Sequence, residues 1–170
     1  MIEKIFNNDN LSDNDIDEVV TRVKAIIINS KNEILLGYAH KTYQFPGGHL
    51  EDKESLNYGL SRELKEELGV DIKIDTLPFM RTVYYTHNYR NTGKNRENDI
   101  YYFLIKSDIE PDMKKAQLDF NELAGNYTPK YISINEIDSI LTNSIPDNPI
   151  NEIIVSEMLE VLEIVRRDYV

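Results

Sequence analysis

The amino-acid sequence predicts one domain of mixed α/β class. Apolar and β-branched runs of strand length lie on both sides of a segment with helical periodicity, and an amphipathic segment closes the chain. The chain has 170 residues, of which 41% are hydrophobic, so it can bury one sizeable core and is too short for two ordinary domains. No internal repeat or low-complexity tract divides it.

The start of the chain is predicted to precede this domain. Residues 1–20 include a long Asn- and Asp-rich stretch with little apolar content, which is typical of a loop or flexible lead-in. We therefore expect the domain to cover residues 21–170. Its first two strands should form a hairpin around Ser30 and Lys31.

The rest of the chain alternates between predicted strands and helices. The helix that follows the sequence QFPGGH should end at Gly69, which suits a left-handed cap, and the closing helix should begin near Pro149. The predicted strands are residues 21–29, 32–39, 70–77, 79–87, 99–106 and 130–134, and the predicted helices are residues 53–68 and 149–167.

Composition excludes several classes of function. The net charge of -11 argues against non-specific binding to DNA, RNA or anionic membranes, because proteins that bind them present a basic surface. The absence of cysteine excludes a disulfide framework, a thiolate metal site and a cysteine nucleophile. The sequence has no signal-peptide pattern and no apolar run of about 18 residues, so we expect a cytoplasmic protein without a membrane span.

The first predicted helix places carboxylates among its leucines. On a wheel of about 100° per residue, the four leucines from Leu56 to Leu68 share one sector. Glu63 and Glu67 lie inside this sector and Glu66 lies at its edge. A solvated helix with i, i+4 ion pairs is the usual explanation of a Glu- and Lys-rich helix, and it does not fit inward-facing carboxylates.

Inward-facing carboxylates require a compensating cation. They repel one another and lose hydration when they are buried together. Three carboxylates at positions i, i+3 and i+4 form a compact set of hard oxygen donors, which Mg²⁺ and Mn²⁺ prefer. The helix therefore predicts a metal site.

The segment GHLEDKESLNYGLSRELKEELGV, residues 48–70, resembles the signature of the Nudix family. The matching positions are Gly48, Glu54, Arg62, Glu63, Leu64, Glu66, Glu67, Gly69 and Val70. The preceding FPGG and the order of elements are similar to the family as well. The resemblance implies an α/β/α sandwich with a mixed β-sheet. It also implies hydrolysis of a diphosphate linkage in a nucleoside diphosphate derivative, with Mg²⁺ or Mn²⁺ as cofactor.

The resemblance also assigns roles to individual residues. Glu63, Glu66 and Glu67 resemble the metal ligands. Arg62 resembles the residue that holds these glutamates in place, and Glu54 resembles a second residue that supports the same cluster. Glu66, Glu67, Arg62 and Glu54 are accordingly the expected catalytic group. Gly47 and Gly48 should allow a tight turn that brings the backbone against the start of the helix.

Water that attacks phosphorus must lose a proton, and the sequence does not decide which residue accepts it. Glu66, Glu67 or a carboxylate on a later loop could serve. The family often supplies such a residue from the segment before its final strands, where Glu122 lies, and Glu97 and Asp99 are rivals. Taken alone, each of these three is more typical of a surface acid.

Five residues are candidates for substrate binding. His49 follows the glycine turn, and Arg90 and Arg96 lie in the basic segment HNYRNTGKNREND, which could grip phosphate. Tyr43 and Tyr85 could stack on a base. The alternatives are a satisfied polar histidine, a solvated loop and packing tyrosines.

The substrate itself stays open. An NTP, a dinucleoside polyphosphate, a nucleotide sugar or an ADP-ribose type of compound would suit the resemblance. We expect a small-molecule nucleotide as the partner, with no DNA or RNA polymer and no membrane, and homodimer formation stays open. The alternative function is a catalytically silent Nudix-fold module that senses a nucleotide.

Overall fold

The computed structural model describes residues 1–170 and contains seven strands and four α-helices. The strands are β1 (Ile2–Phe6), β2 (Glu18–Ile28), β3 (Glu33–Ala39), β4 (Thr42–Gln44), β5 (Met80–Thr86), β6 (Arg96–Lys106) and β7 (Thr128–Ser133). The helices are α1 (Leu56–Leu68), α2 (Phe120–Ala124), α3 (Ile137–Asn143) and α4 (Asn151–Tyr169). None of the helices has the length and apolar character required to span a bilayer.

The chain forms two compact units, of which the first contains the N-terminal strand and the start of α1. This unit comprises Met1–Ala25, Gly47–Glu63 and Ile72–Leu104. Its strand order is β1-β5-β6-β2. β1 runs parallel to β5 with Ile2 opposite Met80, and β5 runs antiparallel to β6 with Met80 opposite Tyr102.

The second unit contains β3, β4 and β7, the end of α1, and the helices α2, α3 and α4. It comprises Ile26–Pro46, Leu64–Asp71 and Ile105–Val170. β3 pairs antiparallel with the end of β2, with β4 and with β7. In the first unit, β1 pairs parallel with β5 and β5 pairs antiparallel with β6, so the mixed β-sheet that the sequence predicts is confirmed. The amphipathic closing helix is also confirmed, since one face of α4 is buried from Val155 to Val165.

The N-terminal segment contains a strand that the sequence analysis did not identify. β1 forms five parallel pairs with β5, and the ring of Phe6 stacks on that of Tyr84 at a centroid distance of 4.7 Å. Glu3 accepts a hydrogen bond of 2.8 Å from Arg81. The lead-in expected at residues 1–20 therefore contains an edge strand, which was missed because five residues beside a polar stretch give little periodic signal.

The strand predicted at residues 70–77 is wrong, because this segment forms no strand. Its alternating apolar residues do face the interior, and Ile74 is buried. However, the side-chain amide of Asn57 on α1 donates to the carbonyls of Ile74 and Thr76 at 2.8 and 3.0 Å. These carbonyls are satisfied by a side chain, so the segment has the pattern of a strand without a strand partner.

Candidate active site

The carboxylates of α1 face inward as the helical wheel predicts. Glu67 is only 7% exposed and lies between the fully buried Leu64 and Leu68. Lys65 and Tyr58, on the other side of the helix, are exposed. A carboxylate in this position has lost most of its hydration, so its charge must be balanced by nearby donors or cations.

Arg62 connects the start of the helix to its neighbours in the first unit. Its Nε and Nη2 donate to the two carboxylate oxygens of Glu54 at 2.8 and 3.0 Å, and its Nη1 donates to Glu63 at 2.9 Å. Nη2 also donates to the backbone carbonyl of His49 at 2.9 Å. The hydrogen bond from Arg62 lowers the pKa of Glu54, and the same bond raises the pKa of Arg62. The guanidinium thus holds two acidic side chains and the glycine turn together.

The glycine turn lies directly against Glu63. A Cβ atom on Gly48 would collide with the carboxylate of Glu63, and a Cβ atom on Gly47 would collide with the carbonyl oxygen of Val23. Gly47 has φ +122° and Gly69 has φ +66°, which are values that other residues rarely adopt. The tight turn and the left-handed helix cap are therefore present where the sequence places them.

Glu122 lies beside Glu67 in the second unit. It belongs to the short helix α2, whose N-terminus is capped by the Asp119 carboxylate at 2.8 Å from the Glu122 N–H. Burial raises the pKa of Glu122, and the charges of Asp119 and Glu66 raise it further, whereas a hydrogen bond to Glu67 opposes the rise. The structure thus brings together two acids that are 55 positions apart, while Glu66 lies close enough to influence them.

Glu67 and Glu122 lie on the wall of a cavity of about 370 Å³. The other walls include three amide side chains and several apolar ones, and no lysine or arginine contributes to them. The amides are Gln44, Asn121 and Asn148, and the apolar side chains include Phe45, Ile150 and Ile154. The cavity can therefore take a neutral group with polar edges and apolar faces next to the two acids.

The rival acids Glu97 and Asp99 lie elsewhere, on β6 in the first unit. Asp99 accepts hydrogen bonds of 3.1 and 2.7 Å from Arg81, and Glu97 lies 3.7 Å from the same guanidinium. Burial and the charge of Asp99 raise the pKa of Glu97. Both acids thus belong to a cluster centred on Arg81, which also binds Glu3 of β1.

The two arginines of the basic segment HNYRNTGKNREND both lie over the ring of Tyr89. The guanidinium of Arg96 lies 3.8 Å from the ring centroid of Tyr89, and its Nε donates to Glu18 at 2.7 Å. Arg90 lies 5.2 Å from the same ring and is exposed. Arg96 is therefore held by local partners, whereas Arg90 has its stacking contact at the surface.

The remaining substrate-binding candidates also have local partners. The Nε and Nη2 of Arg22 lie 3.2 and 3.0 Å from Nε2 of His49. The ring of Tyr43 packs on Tyr38 at a centroid distance of 4.6 Å, and the hydroxyl of Tyr85 donates to Asp13 at 3.4 Å. None of His49, Tyr43 and Tyr85 contributes to the cavity wall.

Sequence reasoning missed Tyr127, which contacts both acids. Its hydroxyl donates to Glu67 at 3.3 Å, and its backbone N–H donates to the carbonyl of Glu122 at 2.9 Å. A single tyrosine 60 positions from Glu67 gives no pattern in the sequence. Only the adjacent Glu122, already suspected, could have drawn attention to this segment.

The donor chemistry of α1 fits a divalent cation, because carboxylate oxygens are the ligands that Mg²⁺ and Mn²⁺ prefer. The side chains are not gathered around one point, and no group of three or more His, Asp or Glu side chains has the arrangement of a metal site. Instead, Glu63 is drawn to Arg62 and Glu67 to Tyr127 and Glu122.

Part of the chain is similar to a known diphosphatase and to a known pyrophosphohydrolase. An 8-oxo-dGTP diphosphatase of Buchnera aphidicola is 34% identical over 91 residues, which are 50% of this chain and 62% of that protein. An RNA pyrophosphohydrolase of Pasteurella multocida is 38% identical over 65 residues, which are 35% of this chain and 33% of that protein. The matches thus span less than two thirds of these relatives.

A solved structure and the model of a protein family also match the chain. The MutT protein of Methanosarcina mazei Go1 aligns with a TM-score of 0.46 and 20% identity, over 71% of this chain and 80% of that one. The model of the NUDIX domain matches residues 19–152, which are most of the chain and extend from the second residue of β2 past the end of α3. On this match, the chain belongs to the NUDIX family.

Proposed function

We propose that the chain hydrolyses a diphosphate linkage in a small nucleoside diphosphate derivative, with a divalent cation, Mg²⁺ or Mn²⁺, as cofactor. The observation that carries the proposal is the position of Glu67. This buried carboxylate of the family signature lies beside Glu122 on the wall of a cavity that suits a nucleoside. The names of the relatives, an 8-oxo-dGTP diphosphatase and an RNA pyrophosphohydrolase, support the same class of reaction.

The acidic residues of the candidate site have different tasks in this proposal. Glu63, Glu66 and Glu67 hold the cation, and Arg62 keeps Glu63 and Glu54 in place through the hydrogen bonds described above. A divalent cation bound at these oxygens would supply positive charge for the phosphoryl oxygens and would increase the acidity of water. Catalysis then needs a base and no covalent nucleophile.

Glu122 is the base that the geometry favours. It lies on the cavity wall next to Glu67, and its raised pKa makes it a better proton acceptor than an ordinary glutamate. The attacking water would lose its proton to Glu122 as the oxygen approaches phosphorus. Glu66 and Glu67 are the alternative bases, while Glu97 is committed to the Arg81 cluster.

The cavity is the proposed binding site of the nucleoside. No lysine or arginine is present on its wall to attract phosphate. The amides of Gln44, Asn121 and Asn148 can pair with the edges of a base, while Ile150 and Ile154 can cover its face. The diphosphate would then extend from the cavity along the carboxylates of α1.

A screen for released phosphate and pyrophosphate tests the proposal. NTPs, dinucleoside polyphosphates, nucleotide sugars and ADP-ribose are each offered with Mg²⁺ and with Mn²⁺. We expect turnover of at least one class, loss of turnover in Glu67→Gln, and a raised KM in Ile154→Phe, which narrows the cavity. Nucleotide binding without turnover in any class would contradict hydrolysis and support the silent sensor.

A further inference from the structure

Tyr127 occupies a special position in the second unit because it forms hydrogen bonds to the carboxylate of Glu67 and to the backbone of Glu122. Its backbone N–H donates to the carbonyl oxygen of Glu122 at 2.9 Å, and its hydroxyl donates to Oε2 of Glu67 at 3.3 Å. The first bond fixes the end of α2, and the second reaches the helix that carries the family signature. One residue thus connects two elements that are distant in sequence.

The ring of Tyr127 is held by the backbone of β3. A Cβ atom on Gly37 would lie 2.5 Å from Cε2 of Tyr127, so the ring packs against a position that only glycine allows. Tyr127 immediately precedes β7, whose pairing with β3 places Tyr38 opposite Thr128. The ring cannot move far without disturbing this pairing, which makes its hydroxyl a fixed donor.

A fixed donor matters to Glu67 because an ionised carboxylate only accepts hydrogen bonds. Glu67 is 7% exposed, so water cannot readily replace a lost partner. A tyrosine hydroxyl keeps its proton near neutral pH, since its ordinary pKa is about 10. Tyr127 can therefore restrict the rotation of the Glu67 carboxylate through this hydrogen bond.

We propose that Tyr127 is a positioning residue that holds the Glu67 carboxylate in register with Glu122. It does not touch the reacting atoms in this proposal. It acts through Glu67, which it orients, and through the end of α2, which carries Glu122. The proposal deepens the proposed hydrolytic function and rests on it for its kinetic consequence, whereas the structural consequence for Glu67 stands independently.

Tyr127→Phe tests the proposal, because it removes the hydroxyl and keeps the ring against Gly37. Tyr131→Phe is the matched control. Tyr131 lies in β7, and its hydroxyl donates to the carbonyl of Ile109 at 2.8 Å. It contacts no acid of the site. Both variants lose one tyrosine hydroxyl bond, so a general effect on stability would be shared between them.

We expect kcat to fall about tenfold in Tyr127→Phe with KM within about twofold, because the loss of one oriented contact corresponds to about that factor in rate. Tyr131→Phe should keep the wild-type kcat. Crystal structures of the two metal-free variants give a second measurement, in which the Glu67 carboxylate should turn away from Glu122 in Tyr127→Phe alone.

Two results would overturn the proposal. One is a kcat for Tyr127→Phe equal to that of Tyr131→Phe, and the other is an unchanged Glu67 carboxylate in the Tyr127→Phe crystal structure. If the wild-type protein hydrolyses no nucleotide, the proposed function fails. The position of Glu67 in the two crystal structures would still decide whether Tyr127 orients it.

Discussion

Arg62 and Glu54 form a two-point ion pair in which both carboxylate oxygens accept hydrogen bonds from one guanidinium, at 2.8 and 3.0 Å. Their side chains are only 19% and 9% exposed. The same guanidinium binds Glu63 and the His49 carbonyl, so it joins the loop before α1 to the helix itself. The planar, forked donor of arginine is needed for this pattern, and lysine cannot reproduce it.

The first prediction is that Arg62→Lys lowers the free energy of unfolding by about 2 kcal/mol, because hydrogen bonds to a largely buried charged partner are lost. Urea unfolding measures the change. Arg166→Lys is the control, since Arg166 makes the same two-point contact with Asp138 at 2.9 and 2.7 Å, with side chains 32% and 51% exposed. Arg166→Lys should lower the free energy of unfolding by less than about 1 kcal/mol. Equal losses would show that the burial of the Arg62 pair is unimportant.

The second prediction concerns the inward-facing carboxylates. Glu66→Gln and Glu67→Gln should each lower kcat at least about a hundredfold, which is the usual scale for the loss of a charged group that stabilises the transition state. Glu152→Gln, on an exposed position of α4, should leave kcat unchanged. Steady-state kinetics on a confirmed substrate, with circular dichroism to check folding, measures these effects. Near wild-type activity in both site variants would place catalysis elsewhere.

The third prediction is that millimolar Mg²⁺ raises the melting temperature. Clustered carboxylates repel one another, and a ligand that binds only the folded state stabilises it by mass action. Glu63→Gln should show a smaller rise, because one proposed oxygen donor is lost. Differential scanning fluorimetry with EDTA, Mg²⁺ and Mn²⁺ measures the rise. If the variant and the wild type respond equally, the ion that matters binds away from Glu63.

Much of the fold could be predicted from the sequence because its long elements have strong periodic signals. β2, β3, β5, β6, α1 and α4 were all expected close to their observed positions. The short elements β1, β4, α2 and α3 have three to seven residues each, and too few turns or alternations to be recognised. Residues 70–77 alternate like a strand but bind the side chain of Asn57 instead.

The site was predictable where its chemistry is local in sequence. The inward position of Glu67 follows from helical spacing, and the burial of that residue confirms it. The contact between Glu67 and Glu122 depends on the packing of α2, which spacing does not encode. The same holds for Tyr127, whose ring position depends on the glycine at position 37 of another strand. Contacts of this kind require the tertiary structure.

The fourth prediction concerns pH. Partial burial of the imidazole, together with the charges of Arg22, Lys24 and Arg96, lowers the pKa of His49 below its ordinary value of 6.5. Just below that value the unfolded chain binds more protons than the folded chain, so His49 makes stability fall as the pH decreases through this window. His49→Gln should reduce this fall, as measured by urea unfolding at about pH 7.5 and about pH 5.5.

Arg22 provides a second way to examine His49. Its guanidinium contacts Nε2, so Arg22→Gln should move the pKa of His49 upwards in an NMR titration of the imidazole. The return to the ordinary value should be incomplete, because burial is the larger cause. A His49 that titrates normally in the wild-type protein would contradict this description of its surroundings.

The last prediction separates Arg90, in the loop before β6, from Arg96, the first residue of β6. Arg96 is held by Glu18 and by the ring of Tyr89, so Arg96→Ala should lower the melting temperature by loosening the loop. Arg90 is exposed and has its stacking contact with Tyr89 at 5.2 Å. If the loop grips substrate phosphate, Arg90 is the residue free to leave its contact, and Arg90→Ala should raise KM about tenfold with little change in kcat.

The control for Arg90 must remove an equal charge from another surface position. Lys73→Ala does so, because the side chain of Lys73 is 85% exposed and forms a surface ion pair with Asp75 at 3.0 Å. A general loss of positive charge would raise KM equally in both variants, whereas a phosphate contact affects Arg90→Ala alone. An unchanged KM in Arg90→Ala would mean that the loop is a solvated connection. The phosphate contacts of the chain would then lie nearer the glycine turn, where Arg22 and Lys24 supply positive charge beside His49.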